Sequence, residues 1–385
     1  MKLKKKIFII TTCRADYYLL RPLLQQINRS KKLKGYFVAT GSHISKKHGY
    51  TIKSIKKDFK SVKVVKLKKK SEKNTVNSMV GEGIKNFGKL LNKNNPDALM
   101  ILGDRYEALS ASVASIFFKV PIIHLHGGEL TAGAIDENIR HAISKFSSYH
   151  FVSNEKYRRR VIQLGENPKN VFSVGSIGVE NIGKCKFLSK KELEKKFNFK
   201  FCKKNFIITY HPETYDKNSG ITSFKNLLSV LKDKKDTFCL FTRPNTDEGN
   251  ETIAYEIKKF IKNYKNSKYV LSLGQVNYFS ILKYFDGVLG NSSSGIIEAP
   301  SLRCPTINIG NRQLGRIMPK SVINCLEPNK SKLKKKLKAI TSKNFLTTKN
   351  LFRNPYYKKD TSLKIVKTLE KVKFESLKIK KFFDI

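Results

Sequence analysis

Ala98-Leu99-Met100-Ile101-Leu102-Gly103-Asp104-Arg105-Tyr106-Glu107 reads as a buried strand running straight into a polar loop. The apolar run is short, and a glycine and an acid stop it, which fits a strand buried on both faces better than a helix. The same unit repeats outward in both directions. Upstream lie Ile7–Thr12, Tyr36–Thr40 and Val62–Leu67; downstream lie Ile122–Leu125, His150–Ser153 and Val171–Val174. Helical stretches separate most of them. One follows the first strand, with Leu19, Leu20, Leu23, Leu24 and Ile27 on a single face. Strand and helix in alternation predict a parallel sheet covered by helices on both sides.

A lysine-rich stretch from Asn181 to Lys204 lacks strand signals and reads as a linker with an opening helix. A second series then begins: Phe206–Tyr210, Thr237–Phe241, Tyr269–Leu273, Gly287–Gly290 and Thr306–Ile309. The fold expected is α/β, with two Rossmann-like domains facing a cleft. The expected division is 1–185, 186–359, and a C-terminal helix within 360–385 that returns to the first domain. That helix spans roughly Asp360 to Phe374; the Lys/Phe tail beyond it carries no signal.

Composition narrows the classes. With 385 residues, 25 Phe and 16 Tyr, the chain can bury two cores and is not a disordered polymer. Against 30 Asp and Glu stand 77 Lys and Arg, a formal charge of +47. Such a charge suits a polyanion partner, yet the lysines are scattered in short runs such as Lys68–Lys70 and Lys334–Lys336, with no nucleic-acid motif beside them. No specific nucleic acid is therefore expected, and a positive field also favours an anionic small substrate. Six cysteines stand far apart, which excludes a disulfide framework or a Cys-x-x-Cys zinc site and points to a reducing compartment. The apolar run Ile7–Ile10 is too short for a signal peptide, and no stretch reaches membrane-spanning length. The expectation is a cytoplasmic protein with no membrane partner.

Polar motifs follow the strand ends, where ligands sit in open α/β sheets. Cys13-Arg14-Ala15-Asp16 occupies the place of a dinucleotide fingerprint without its glycines, so no NAD is expected. Arg14 can hydrogen-bond or stack on a base, or Asp16 can simply cap the next helix. Asp104, Glu129 in His126-Gly127-Gly128-Glu129, and Asp136 in Ala134–His141 are three acids in loops after strands of one sheet. Each of Asp104 and Asp136 also stands where a helix cap would. The second half contributes Tyr210–Thr214, Arg243–Gly249 and Gly290-Asn291-Ser292-Ser293-Ser294-Gly295, with Glu298 one turn later. A strand entering such a loop and then a helix offers N–H groups and hydroxyls to a diphosphate. Glu298 can accept from two ribose hydroxyls; the plainer alternative is a serine loop capped by Ser294.

Taken in order, these motifs resemble the UDP-N-acetylglucosamine 2-epimerase family, in particular its hydrolysing branch. The resemblance runs from about Ile7 to Arg316. It rests on Arg14–Tyr17, Gly103–Glu107, His126–Glu129, Asp136-Glu137 with Arg140-His141, His211–Thr214, Gly290–Gly295 with Glu298, and Asn308–Gln313. Arg105 stands where the non-hydrolysing branch usually has threonine, and that branch's Pro-Glu-Glu element is missing near Ala134–Glu137. The resemblance implies a glycosyltransferase-B-type fold with UDP held mainly by the C-terminal domain. It implies nucleotide contacts from Arg14, Asn245, Ser292, Ser293 and Glu298, with Arg105, Arg243, Ser294 and Gly295 completing the binding set. It puts Asp104, Glu129, Asp136 and His211 around the reacting sugar. A homodimer is the assembly implied, and no metal is predicted.

The reaction implied is anti-elimination of UDP to a 2-acetamidoglycal, then hydration to N-acetylmannosamine, as sialic-acid synthesis requires. Proton transfer on two ring faces falls to Asp104, Glu129 and Asp136, and His211 stabilises the leaving group. Three alternatives stay open: a 2-epimerase of UDP- or GDP-N,N'-diacetylbacillosamine for legionaminic acid, a glycosyltransferase of the same fold, and a nucleic-acid-binding protein.

Overall fold

A computed structural model describes residues 3–46, 49–67, 75–216, 218, 220–245, 247–348 and 352–384. The lysine run Lys68–Lys70 and Thr246 lie outside the described residues. The chain forms two compact units. The first comprises Met1–Glu129, Asp136–Asn181 and Tyr356–Ile385; the second comprises Leu130–Ile135 and Ile182–Pro355. The chain thus changes units at Asn181 rather than after residue 185, and the segment Leu130–Ile135, expected with the first domain, packs in the second.

The first unit is built on β1 (Lys5–Thr11), β2 (Leu33–Ala39), β3 (Lys63–Val64), β4 (Ala98–Leu102), β5 (Ile122–Leu125), β6 (Tyr149–Val152) and β7 (Val171–Ser173). Its order is β3-β2-β1-β4-β5-β6-β7, and every pairing is parallel. Both faces are covered, which is why β1 is apolar throughout its centre. Ile7 and Ile9 pack with Leu20, Leu23, Leu24 and Ile27 on one side, while Phe8 and Ile10 pack with Phe87, Leu99 and Ile101 on the other. The helix Thr361–Lys371 adds Ile365 and Leu369 to the first of these cores. Ser362 N donates to Glu180 Oε2 at 2.9 Å, fixing that helix to the first unit.

The second unit uses β8 (Lys204–Thr209), β9 (Thr237–Thr242), β10 (Ser267–Val270), β11 (Gly287–Gly290), β12 (Thr306–Ile309) and β13 (Val322–Cys325). Its parallel order is β10-β9-β8-β11-β12-β13. Three sequence readings need correction. The strand expected at Tyr269–Leu273 lies earlier, at Ser267–Val270, and that expected at Val62–Leu67 shrinks to Lys63–Val64. Strand β13 was not foreseen at all, because Asn324 interrupts a run of only four residues.

In each sheet the strand order reverses once, between β1 and β4 and between β8 and β11. Neighbouring connections there leave on opposite faces, opening a crevice at the strands' carboxyl ends. Gly290, with φ of 137°, makes the second crevice possible: a Cβ on it would lie 2.0 Å from the Thr209 carbonyl oxygen.

Candidate active site

At the first unit's crevice, one arginine organises the acids. Arg140 lies on the helix Asp136–Phe146 and is 2% exposed. Its Nη2 pairs with Asp104 Oδ2, and its Nη1 donates to the Glu129 carbonyl at 2.8 Å. Asp104, just past β4, is thereby joined to the loop after β5. Asp136 opens the same helix, where the amide dipoles favour negative charge. Glu129 is itself 2% exposed, and its Oε1 accepts from Ser153 Oγ at 2.7 Å and meets His126 Nδ1 at 3.0 Å.

The fully buried His124 steadies this array from within the sheet. Its Nε2–H donates to the Gly103 carbonyl at 2.8 Å, and Nδ1 takes the Ser144 hydroxyl at 3.1 Å. Burial lowers its pKa to about 3, so the ring stays neutral and this tautomer holds the residue next to Asp104. Simple capping does not account for Asp104 or Asp16. The cap position before the helix Tyr106–Phe117 is Arg105, not Asp104, and before Arg14–Arg29 it is Cys13, not Asp16. Asp16 instead reaches back to Thr12 N at 3.1 Å and Thr12 Oγ1 at 2.5 Å. Arg14 begins that helix, and Arg105 forms a two-pronged pair with buried Glu107 at 3.0 and 3.2 Å.

The second unit gathers a different set. Asn291, fully buried, accepts from His211 N at 2.7 Å and donates to the His211 carbonyl at 2.8 Å, locking the loop after β8 to the loop after β11. Gln313 donates to the Asn291 carbonyl at 2.8 Å. Asn245 N donates to His211 Nδ1 at 3.1 Å, so the neutral ring carries its hydrogen on Nε2. Burial first, and the Arg312 charge second, lower the His211 pKa to about 3. His211 is therefore a neutral donor at working pH. Arg243 follows β9 and bonds through its own N–H to the Val270 carbonyl at 3.1 Å.

Ser292, Ser293, Ser294 and Gly295 form the loop after β11, with Ser292 Oγ 3.0 Å from Ser294 Oγ and Ser294 Oγ 2.6 Å from Tyr278 OH. The helix expected to follow spans only Ser294–Ile297, and its cap position is Ser293, whose side chain makes no cap hydrogen bond. Pro300 supplies no N–H to continue it, and the chain passes into a 3₁₀ turn at Ala299–Leu302. Glu298 thus sits at the junction of two short turns rather than on a long helix. The loop's own N–H groups and hydroxyls, more than a helix dipole, are what it can offer an anion.

Sequence reading left Arg140, His124, Ser153 and Asn291 without roles. A histidine inside an apolar strand and an arginine four residues into an acidic helix were the available signals.

The sequence matches the UDP-N-acetylglucosamine 2-epimerase family over residues 25–370. It is 38% identical to the GDP/UDP-N,N'-diacetylbacillosamine 2-epimerase (hydrolyzing) of Campylobacter jejuni, covering 99% of this chain and 100% of the relative. It is 36% identical to the polysialic acid biosynthesis protein P7 of Escherichia coli, over 99% and 98% of the two chains. The UDP-GlcNAc 2-epimerase of Neisseria meningitidis, solved bound to UDP-GlcNAc, superposes with a TM-score of 0.80 at 16% identity, over 95% of this chain and 100% of that one. That likeness is one of fold, two parallel-sheet α/β domains of the glycosyltransferase-B type. This chain belongs to the UDP-N-acetylglucosamine 2-epimerase family.

Proposed function

We propose that this protein is a hydrolysing 2-epimerase that converts UDP-N-acetylglucosamine and water to N-acetylmannosamine and UDP. The observation that carries the reading is the Arg140 bridge from the Asp104 carboxylate to the Glu129 main-chain carbonyl, which ties two acid-bearing loops at strand ends into one crevice. The C2 hydrogen of a hexosamine has no adjacent carbonyl and is barely acidic. It becomes removable when the C1–O bond to the diphosphate breaks and positive charge grows on the ring. The C2–H electrons then form the C1–C2 double bond, and UDP departs with the C1–O pair. In the second step water adds its hydroxyl to C1, and a proton returns to C2 from the opposite face. Groups on both faces must handle protons, which the acids of the first unit can do. Neutral His211 and the serine loop can donate hydrogen bonds to the departing diphosphate.

Neither step oxidises the sugar, so the account needs no NAD. Six free cysteines fit a reducing, cytoplasmic setting, and no helix among the described residues is long and apolar enough to cross a membrane. Within the same chemistry, a UDP- or GDP-linked N,N'-diacetylbacillosamine is the second reading. It is favoured by the names of the Campylobacter jejuni relative and of a Legionella pneumophila relative 32% identical over 83% of this chain. The test is release of the nucleoside diphosphate, UDP or GDP, from each sugar nucleotide with no acceptor, NAD or NADH added. Release from UDP-N-acetylglucosamine at the higher kcat/KM supports the first reading; preference for the diacetamido sugar supports the second. Release only when an acceptor is present would make the protein a glycosyltransferase and refute both. A homodimer is the assembly we propose, to be checked by sedimentation of the purified protein.

A further inference from the structure

The helix Tyr106–Phe117 lies on the first sheet between the helices Val76–Asn94 and Asp136–Phe146. Its inner face is built of small residues: Ala108, Ala111, Ser112, Ala114 and Ser115 are buried. They let it lie close to its neighbour. Ser110 Oγ donates to the Val80 carbonyl at 3.2 Å, and a Cβ on Gly83 would lie 2.8 Å from the Ser110 side chain. A surface helix ordinarily turns polar residues outward. This one does not. Leu109, Val113 and Phe117 recur at helical spacing on its outer face, with Ile116 beside them. Leu109 and Val113 are half-buried, Ile116 is exposed, and Phe117 is 77% exposed. On the adjoining helix, Val80 and Ile84 are half-buried as well.

Charge marks the same face. The sequence carries 77 Lys and Arg, yet among the described helices of eight or more residues Tyr106–Phe117 alone has none. Its acid, Glu107, is buried and paired with Arg105. A formal +47 on each copy makes two copies repel over most of their surfaces. An acidic partner would be drawn to the faces that bear lysine. A partner as basic as this chain can come close only where lysine is missing, and contiguous apolar side chains there supply the attraction.

We infer that the outer face of the helix Tyr106–Phe117, with Val80 and Ile84 beside it, is the contact between two copies of this chain. The inference rests on the homodimer put forward above and stands apart from the reaction assigned. A two-fold contact presents the same patch from each copy, so each side chain acts twice. The helix leads the chain from the carboxyl end of β4 back to the amino end of β5. Phe117 is therefore at the far end of a helix about 18 Å long from Asp104.

Sedimentation equilibrium of the full chain over a range of protein and salt concentrations tests this. The wild type should be a dimer whose Kd falls as salt rises from low ionic strength, because screening relieves the repulsion and no ion pair is lost. Phe117→Lys should raise Kd roughly 10²–10⁴-fold, since it removes one buried ring from each side and sets two like charges together. Ile116→Lys should act in the same direction. Tyr255→Lys, which adds the same charge at an exposed site in the second unit, should change Kd little. Thermal unfolding is the folding control. A folded Phe117→Lys variant with the wild-type Kd overturns the assignment of this face and leaves the homodimer standing, as does a wild-type dimer that loosens when salt rises. A wild type that stays monomeric at every concentration overturns both. Binding of that monomer to phosphatidylglycerol vesicles, lost in Phe117→Ser, would give the face to lipid instead. None of these results bears on release of UDP, so the functional reading is tested separately.

Discussion

Asn291 is fully buried, and its side chain bonds both the N–H and the carbonyl of His211. Replacing it with alanine leaves the N–H and carbonyl of His211 unpaired, at an expected cost of about 2–4 kcal/mol, measured by urea unfolding. Glu298→Ala should leave the fold intact and weaken UDP binding by about 1.5–3 kcal/mol if the carboxylate holds the ribose; calorimetry showing unchanged affinity would remove it from the site. His124 makes a pH prediction. Its folded pKa of about 3 lies below the unfolded value of about 6.5, so between those limits the unfolded chain binds the extra proton. Stability should be level above that window and fall as pH drops through it. The urea midpoint should decline from pH 7 to pH 5, and His124→Asn, less stable overall, should lose part of that slope. Acids placed after strands were legible in the sequence because few residue types suit such loops. Their organiser, Arg140, was not, since nothing in a linear motif says that its guanidinium turns inward to two other loops.

The strand ends position the site, and their tolerances are narrow. Gly290→Ala would drive a Cβ to within 2.0 Å of the Thr209 carbonyl oxygen, at the carboxyl end of the β8–β11 pairing. We expect a loss above about 3 kcal/mol, read as a lowered unfolding midpoint, with separation of β8 from β11 at the crevice. The sequence displayed most strands, because doubly covered β-strands are apolar along their whole length. It misjudged elements whose ends depend on tertiary contacts. The helix after β11 stops at Ile297 because Pro300 cannot extend it, although the apolar Ile296-Ile297 gave no warning. By contrast, the helix Lys190–Phe197 carries its own start signal, a reciprocal Ser189–Glu192 capping box.

Over the whole molecule, the tail that carried no sequence signal is tied to the first unit. Lys380 Nζ lies 2.7 Å from Glu166 Oε1, beside His150 Nε2 at 3.1 Å from Oε2, and Phe382 lies under Lys145 Nζ at 4.4 Å from the ring centroid. Glu166 is 3% exposed, so deleting residues 378–385 removes a partner from a buried charge. Lys145 Nζ, 3.1 Å from the same Oε1, still pairs the carboxylate, so we expect a loss of about 1.5–3 kcal/mol, seen as a lower thermal midpoint and largely reproduced by Lys380→Met. Such a lock is illegible in a lysine-rich tail because the partner glutamate is more than 200 residues away. The central claim concerns the whole enzyme, namely that UDP leaves by elimination and the sugar is then hydrated and inverted at C2. Proton NMR of the product formed from UDP-N-acetylglucosamine in deuterated water tests it most directly. The account predicts free N-acetylmannosamine carrying one deuterium at C2, alongside UDP. Product that retains hydrogen at C2, or N-acetylglucosamine released with its configuration unchanged, would contradict it.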